Sequence, residues 1–195
     1  MQGSAEVAQL EQLVGVFYSG AEQSQIAFAA ASLDELRSRW WHAGPWLLLE
    51  QTVGAHASAP TVLWTSSLVE QWVRKRWHRI SDSDRAACRA SLVNLVSTSA
   101  AAAAAAASAA AAASAAAAAS TSEPAVLSRK LQHVLALLLR ADWPAGWSTF
   151  IPDLLGAPNL DDPSRLRVLL MLAEEANLCK LVSHSCLILA PPESS

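Results

Sequence analysis

Glycine is scarce in this chain of 195 residues, with 7 in all, and no Asn-Gly or Asp-Gly pair occurs. Tight β-hairpins lean on those pairs. Valine and isoleucine sit at helical spacings rather than in alternating runs, so a sheet architecture is excluded and the class reads as all-α. Cysteine is as sparse: Cys88, Cys179 and Cys186 are too few for a disulfide framework and wrongly spaced for zinc, which points to a reducing compartment. Charge is thin, at 16% of residues with a net of −3, so the basic surplus of a general nucleic-acid binder is missing. The opening MQGSAEVAQLEQL has no basic stretch leading into an apolar run, so no secretory signal is expected. Signatures of enzymes are missing as well. There is no glycine-rich phosphate loop, no His-Glu-x-x-His and no Gly-x-Ser-x-Gly. Glu174 and Glu175 are adjacent and face different ways on a helix; His42, His56, His78, His133 and His184 are scattered; Cys88 sits at core spacing. The expectation is a soluble intracellular protein that is not an enzyme and needs no metal or cofactor.

The run Ala100–Ala119 holds 18 alanines and two serines. It is the only apolar stretch long enough for a bilayer, and alanine and serine are too weakly hydrophobic to cross one. With that run set aside, apolar residues still make up about 47% of the chain, enough for a core. Periodicity and turn residues predict eight helices: Ala5–Tyr18, Glu22–Trp41, Trp46–Val53, Pro60–His78, Asp84–Ser97, Glu123–Asp142, Pro144–Leu155 and Asp162–Leu178. Pro45, Pro60, Pro124, Pro144 and Pro163 fall at helix starts, where a missing N–H costs nothing. Short connections make four antiparallel pairs with a period near 45 residues, which suits HEAT or armadillo units in a solenoid. The alanine run reads as a low-complexity insertion, helical or disordered, that extends the third pair.

In helix Pro60–His78 the stripe Leu68, Val69, Trp72 and Val73 is expected inside, with Ser67, Glu70, Arg74 and Lys75 toward solvent. Arg74, Lys75, Arg76 and Arg79 offset the negative end of that helix's dipole, and Glu70 with Arg74 makes an i,i+4 pair. Trp143, Pro144, Trp147 and Phe150 read as packing: one helix closes at Trp143, the next opens at Pro144, and Trp147 and Phe150 share its inner face.

Three segments carry a family likeness: Val62–Trp77 (VLWTSSLVEQWVRKRW), Leu131–Leu155 (LQHVLALLLRADWPAGWSTFIPDLL) and Leu166–Ala176 (LRVLLMLAEEA). In this order they resemble the N-terminal HEAT repeats of the importin-β/exportin superfamily, the karyopherins. The likeness is nearest to exportins, either the receptor for leucine-rich signals or the exportin of actin–profilin. Glu70, Gln71, Val73, Arg76 and Trp77 match a Glu-Asn-x-Ile-x-x-Arg-Trp-like run, with Gln71 in place of Asn. Trp143, Pro144, Trp147 and Phe150 match a Trp-Pro-x-x-Trp-x-x-Phe turn, the most specific element; Leu169, Leu172, Glu174 and Glu175 match the helix that follows. Leu10–Trp46 looks like the importin N-terminal pattern, and the likeness covers about residues 5–178.

The resemblance implies a right-handed superhelical segment of about four HEAT-type pairs. Residues 1–98 would be importin N-terminal-like, 99–123 the Ala/Ser insertion, 124–179 exportin N-terminal-like, and 180–195 a disordered tail. It implies part of a nuclear transport receptor that binds Ran-GTP, with protein cargo and nuclear-pore proteins as partners of the full-length receptor. Neither nucleic acid nor membrane is implied as a partner, and the expected location is nucleus and cytoplasm, shuttling through the pore. Karyopherins are several times longer, so the chain looks like an N-terminal fragment. In them the second helix of each pair lines the concave wall, which makes Glu70, Arg74 and Lys75 the Ran-binding candidates. The alternatives are an import receptor fragment, or a HEAT-repeat scaffold with no GTPase partner.

Overall fold

The computed structural model describes residues 2–112, 122–142, 146–156, 162–163 and 165–174. Helices α1 (Gln2–Tyr18), α2 (Gln23–Ala43), α3 (Pro45–Gly54) and α4 (Ala59–Arg76) come first, and a 3-10 turn, Trp77–Arg79, closes α4. Next are α5 (Asp82–Ala112), α6 (Ser122–Asp142) and α7 (Phe150–Gly156), and residues 165–174 form a last helix, α8. Among the described residues there is no strand. The all-α class is as the sequence predicted.

Local chemistry explains the boundaries. Gly20, at φ 70°, turns the chain between α1 and α2. Gly44, at φ 104°, lies under the Trp46 indole, where an added Cβ would come within 2.7–2.9 Å of the ring, so only glycine fits. Ser81 caps α5 by accepting the Asp84 N–H at 3.1 Å, while its hydroxyl donates to the Asp84 carboxylate at 2.7 Å.

Two boundaries differ from those read in the sequence. Helix α7 begins at Phe150 rather than at Pro144, and 146–149 form a turn that carries Trp147 ahead of the helix. Pro152 is the reason: from this start it falls in the first turn, whereas in a helix begun at Pro144 it would be interior, at a cost of about 3 kcal/mol. Trp143 and Pro144 themselves lie outside the described residues. Helix α5 does not stop at Ser97. It continues through the first alanines to Ala112, as alanine's helix propensity allows.

The helices form two layers. α1, α3 and α5 lie in one, α2, α4 and α6 in the other, and the hairpins α1–α2, α3–α4 and α5–α6 join them. This is the packed-pair arrangement of an α-solenoid. The larger core runs from Trp46 and Val69 through Leu92, Leu135 and Leu139 to Trp147, Phe150 and Val168. A smaller cluster of Leu10, Val14, Ala29, Leu33 and Leu48 holds the first pair. Cys88 is fully buried among the larger set, and burial pushes its thiol up to about 12, which leaves it an inert packing residue.

Candidate functional site

Helix α4 lies between α2 and α6 in its layer and carries the candidate residues. Leu68, Val69, Trp72 and Val73 are buried, as their spacing required. Trp72 packs tilted against Trp46, 4.8 Å between ring centroids, and meets Trp77 edge-on at 6.2 Å. Its indole N–H donates to the Trp41 carbonyl at 3.1 Å. Arg76 joins it there, donating to the same carbonyl at 3.2 Å and lying 3.1 Å from His42 Nδ1. Arg76 thus satisfies the open C-terminus of α2 rather than only offsetting the dipole of its own helix.

Glu70 is not the solvent-facing residue that periodicity suggested. Its side chain is only 21% exposed and turns toward α6, where it accepts from Lys130 Nζ at 2.6 Å. Arg74 reaches it at 3.2 Å and His133 Nε2 lies 3.7 Å away. Burial alone would raise the Glu70 pKa. The Lys130 hydrogen bond and the charges of Lys130, His133 and Arg74 outweigh burial and hold the carboxyl below its ordinary value. The spacing rule missed this because α6 approaches α4 on the flank that one helix alone would leave wet.

Arg74 and Lys75 are exposed, Arg74 on the flank of α4 beside α6 and Lys75 on the flank beside α2. Arg74, with His78, Val73, Leu137, Arg140 and Ala141, lines a groove between α4 and α6. Lys75, with Gln71, Arg37, Ser38, Trp41 and His42, lines a second between α2 and α4. The fold thus places the two candidate cations in separate grooves of one face. It also adds Arg37, His42, His78 and Arg140, which sequence reading had not grouped with them because they come from three helices.

Of the aromatic residues that carry the family likeness, Trp77, Trp147 and Phe150 meet at a buried polar knot. Trp77 is buried, and its indole N–H donates to Asp142 Oδ1 at 3.2 Å. Asp142, buried at the end of α6, pairs with Arg89 of α5. The Arg89 guanidinium sits 5.7 Å from the Trp147 ring centroid, over its face. Trp147 meets Phe150 edge-on at 5.1 Å and donates to Asp153 at 2.8 Å. Leu169 and Leu172 of α8 pack against the same core, and Glu174 is exposed, whereas Glu175 lies outside the described residues. Neither Arg89 nor Asp142 was singled out in the sequence. The available signal was an aspartate in a helix's last turn, where the dipole disfavours it.

Among the described residues no helix is long and apolar enough to cross a membrane. Comparison with known proteins gives two findings. The family model described as Exportin 1-like protein matches residues 124–184. Exportin-1 of Drosophila melanogaster is 21% identical over 159 residues, which cover 78% of this chain and 13% of that protein. Together they relate the chain to the exportin/importin-β superfamily.

Proposed function

From that relation we propose that the chain forms the N-terminal part of an exportin-like nuclear transport receptor, a binding protein rather than an enzyme, whose partner at this end is Ran-GTP. The likeness to Exportin-1 over 78% of the chain, in helix pairs packed as a solenoid, carries the reading. By resemblance, the α2–α4–α6 layer is the concave wall of such a receptor. Arg74 and Lys75 are then the contact residues, and Glu70 holds Arg74 in place from behind. In the complete receptor Ran-GTP and cargo each favour the same conformation, so each raises the other's affinity by the same factor. The chain spans about an eighth of the length of the relative it matches, so cargo and pore contacts belong to the longer protein. The receptor would shuttle between nucleus and cytoplasm.

The test is a pull-down with Ran locked in its GTP form against its GDP form. Selective, weak capture of the GTP form is expected. Reversing charge at Arg74 and Lys75 together should slow association and flatten its salt dependence, as rim charges do. GTP-selective binding that ignores this double reversal would place the contact elsewhere. Equal capture of both forms would favour a scaffold without a GTPase partner.

A further inference from the structure

A groove of about 450 Å³ runs between α1 and α2. Leu13 and Ala29, both buried, form its floor, and Val16 and Phe28 make its walls apolar. Gln9, Gln12, Ser24 and Gln25 supply the polar part of the lining, and no charged side chain lines it. The ion pair that ties α1 to α2, Glu6 with Arg39 at 3.1 Å, lies outside that lining. Phe28 is 69% exposed, more than any other large apolar side chain among the described residues. A single exposed apolar residue is ordinary on a protein surface. A ring standing beside an apolar groove, within a polar rim, is the pattern of an interaction site.

We propose that this face binds a second copy of the chain about a two-fold axis, with Phe28 of each copy seated in the groove of the other. Shape, charge and area choose this occupant. A two-fold contact needs a surface complementary to itself, and a face that carries both a knob and a hole meets that condition. A cavity of about 150 Å³ can hold a benzene ring, so the groove has room for Phe28. Because Phe28 also lines the groove, the two rings meet near the axis, in offset or edge-on contact. Two copies with a net charge of −3 repel, and they approach most easily where neither presents a charge. A strongly charged partner finds no counter-charge in this lining. Glutamine amides donate and accept, so Gln9, Gln12 and Gln25 can pair with their own counterparts. The 17 residues of α1 make a face about 25 Å long, and two helices abreast are about 20 Å wide. Such a face offers about 500 Å² on each copy, so a dimer buries about 1,000 Å², the lower end for a specific interface. The dimer is therefore weak and reversible. The proposal stands on this groove and not on the GTPase reading.

The test is sedimentation velocity of the full chain from about 1 to about 200 μM, where a dimer with Kd about 10 μM passes from mostly dissociated to mostly formed. The mass should rise from 20.7 kDa toward twice that value and stop there. Phe28→Gln should weaken the dimer at least about tenfold, as loss of a central aromatic anchor does. Gln12→Glu with Gln25→Glu leaves Phe28 in place and sets like charges against each other across the axis. It should weaken the dimer about tenfold at low salt, and high salt should restore part of the loss. Leu170→Ser, at a comparably exposed apolar residue of α8, should leave Kd within about twofold. Helical circular dichroism should be unchanged in all three variants. A monomer throughout the range, or growth past the dimer as a head-to-tail contact gives, would overturn the proposal. So would a dimer that neither groove variant weakens, or one that Leu170→Ser weakens as much as Phe28→Gln. No GTPase is present, so a failure here is separate from any failure with Ran.

Discussion

Asp142 sits where a carboxylate should be unwelcome, buried at the negative end of a helix. Arg89 and the Trp77 indole compensate it, and the packing around it is tight enough to dictate its neighbour. A Cβ on Gly146 would collide with the Asp142 carboxylate, whose Cγ would lie 2.8 Å away. Gly146→Ala should therefore cost about 1–3 kcal/mol, and Asp142→Ala about 2–4, since it strands the partly buried Arg89 guanidinium. The double variant should be less destabilised than the sum, because deleting the carboxylate removes the clash. Additive costs in urea titrations would mean that the two residues do not touch. At the same scale, Trp147→Ala should lose about 3–5 kcal/mol, whereas Arg74→Ala, at an exposed ion pair, should lose under about 1. Equal losses would reverse the assignment of inner and outer faces.

Among elements, the α5–α6 hairpin separates what packs from what only extends. Ala100 is 5% exposed and belongs to the core, and Thr98, Ser99 and Ala102 share a groove with Pro124 and Leu127 of α6. The alanine run is thus not wholly dispensable: its first residues pair with α6. Removing Ala106–Ala119 should leave the melting transition within about 1 kcal/mol, since loop length enters closure entropy only logarithmically. A deletion that begins at Ala100 should cost more. Should the shorter deletion lose above about 2 kcal/mol, a core-sized defect, the later alanines pack too.

The α4–α6 contact has its own signature in acid. Glu70's pKa is depressed below its ordinary 4.5, so the stability it contributes is present above that value and lost as pH falls through the folded pKa. Melting temperature should decline below about pH 4.5, and Glu70→Gln should make that decline shallower. An acid limb of identical slope in the variant would show that the ion pairs to Lys130, His133 and Arg74 contribute nothing.

At the scale of the molecule, stability is uneven. The first pair is held by a small cluster built around Leu10, Ala29 and Leu33, while α4, α5 and α6 share the larger tryptophan-lined core. Local opening is easiest where the buried apolar cluster is smallest, so within this chain the first pair opens first. Amide exchange at Ala29–Leu36 should outpace that at Val69–Val73 and Val134–Leu139. Uniform protection across all three would mean that the pairs unfold as one unit.

The sequence by itself determined the helical class, the order of the helices among the described residues, and most of their starts. Those depend on local terms: the spacing of Val7, Leu10 and Val14, the cap at Ser81, the glycines at 20 and 44, and Pro45 and Pro60 in first turns. It also carried the family likeness, which lies in tryptophans and prolines at set intervals. The tertiary structure alone decided where Glu70 points, why Arg76 is needed, how far α5 runs, and that Pro152 sets the start of α7 and leaves Trp147 before it. It alone brought Arg89 to Asp142, and cations of α2, α4 and α6 to the grooves beside α4. The reason is that a helix's periodicity defines a buried stripe but not the flanks, whose surroundings are set by which helix packs beside them and in what register.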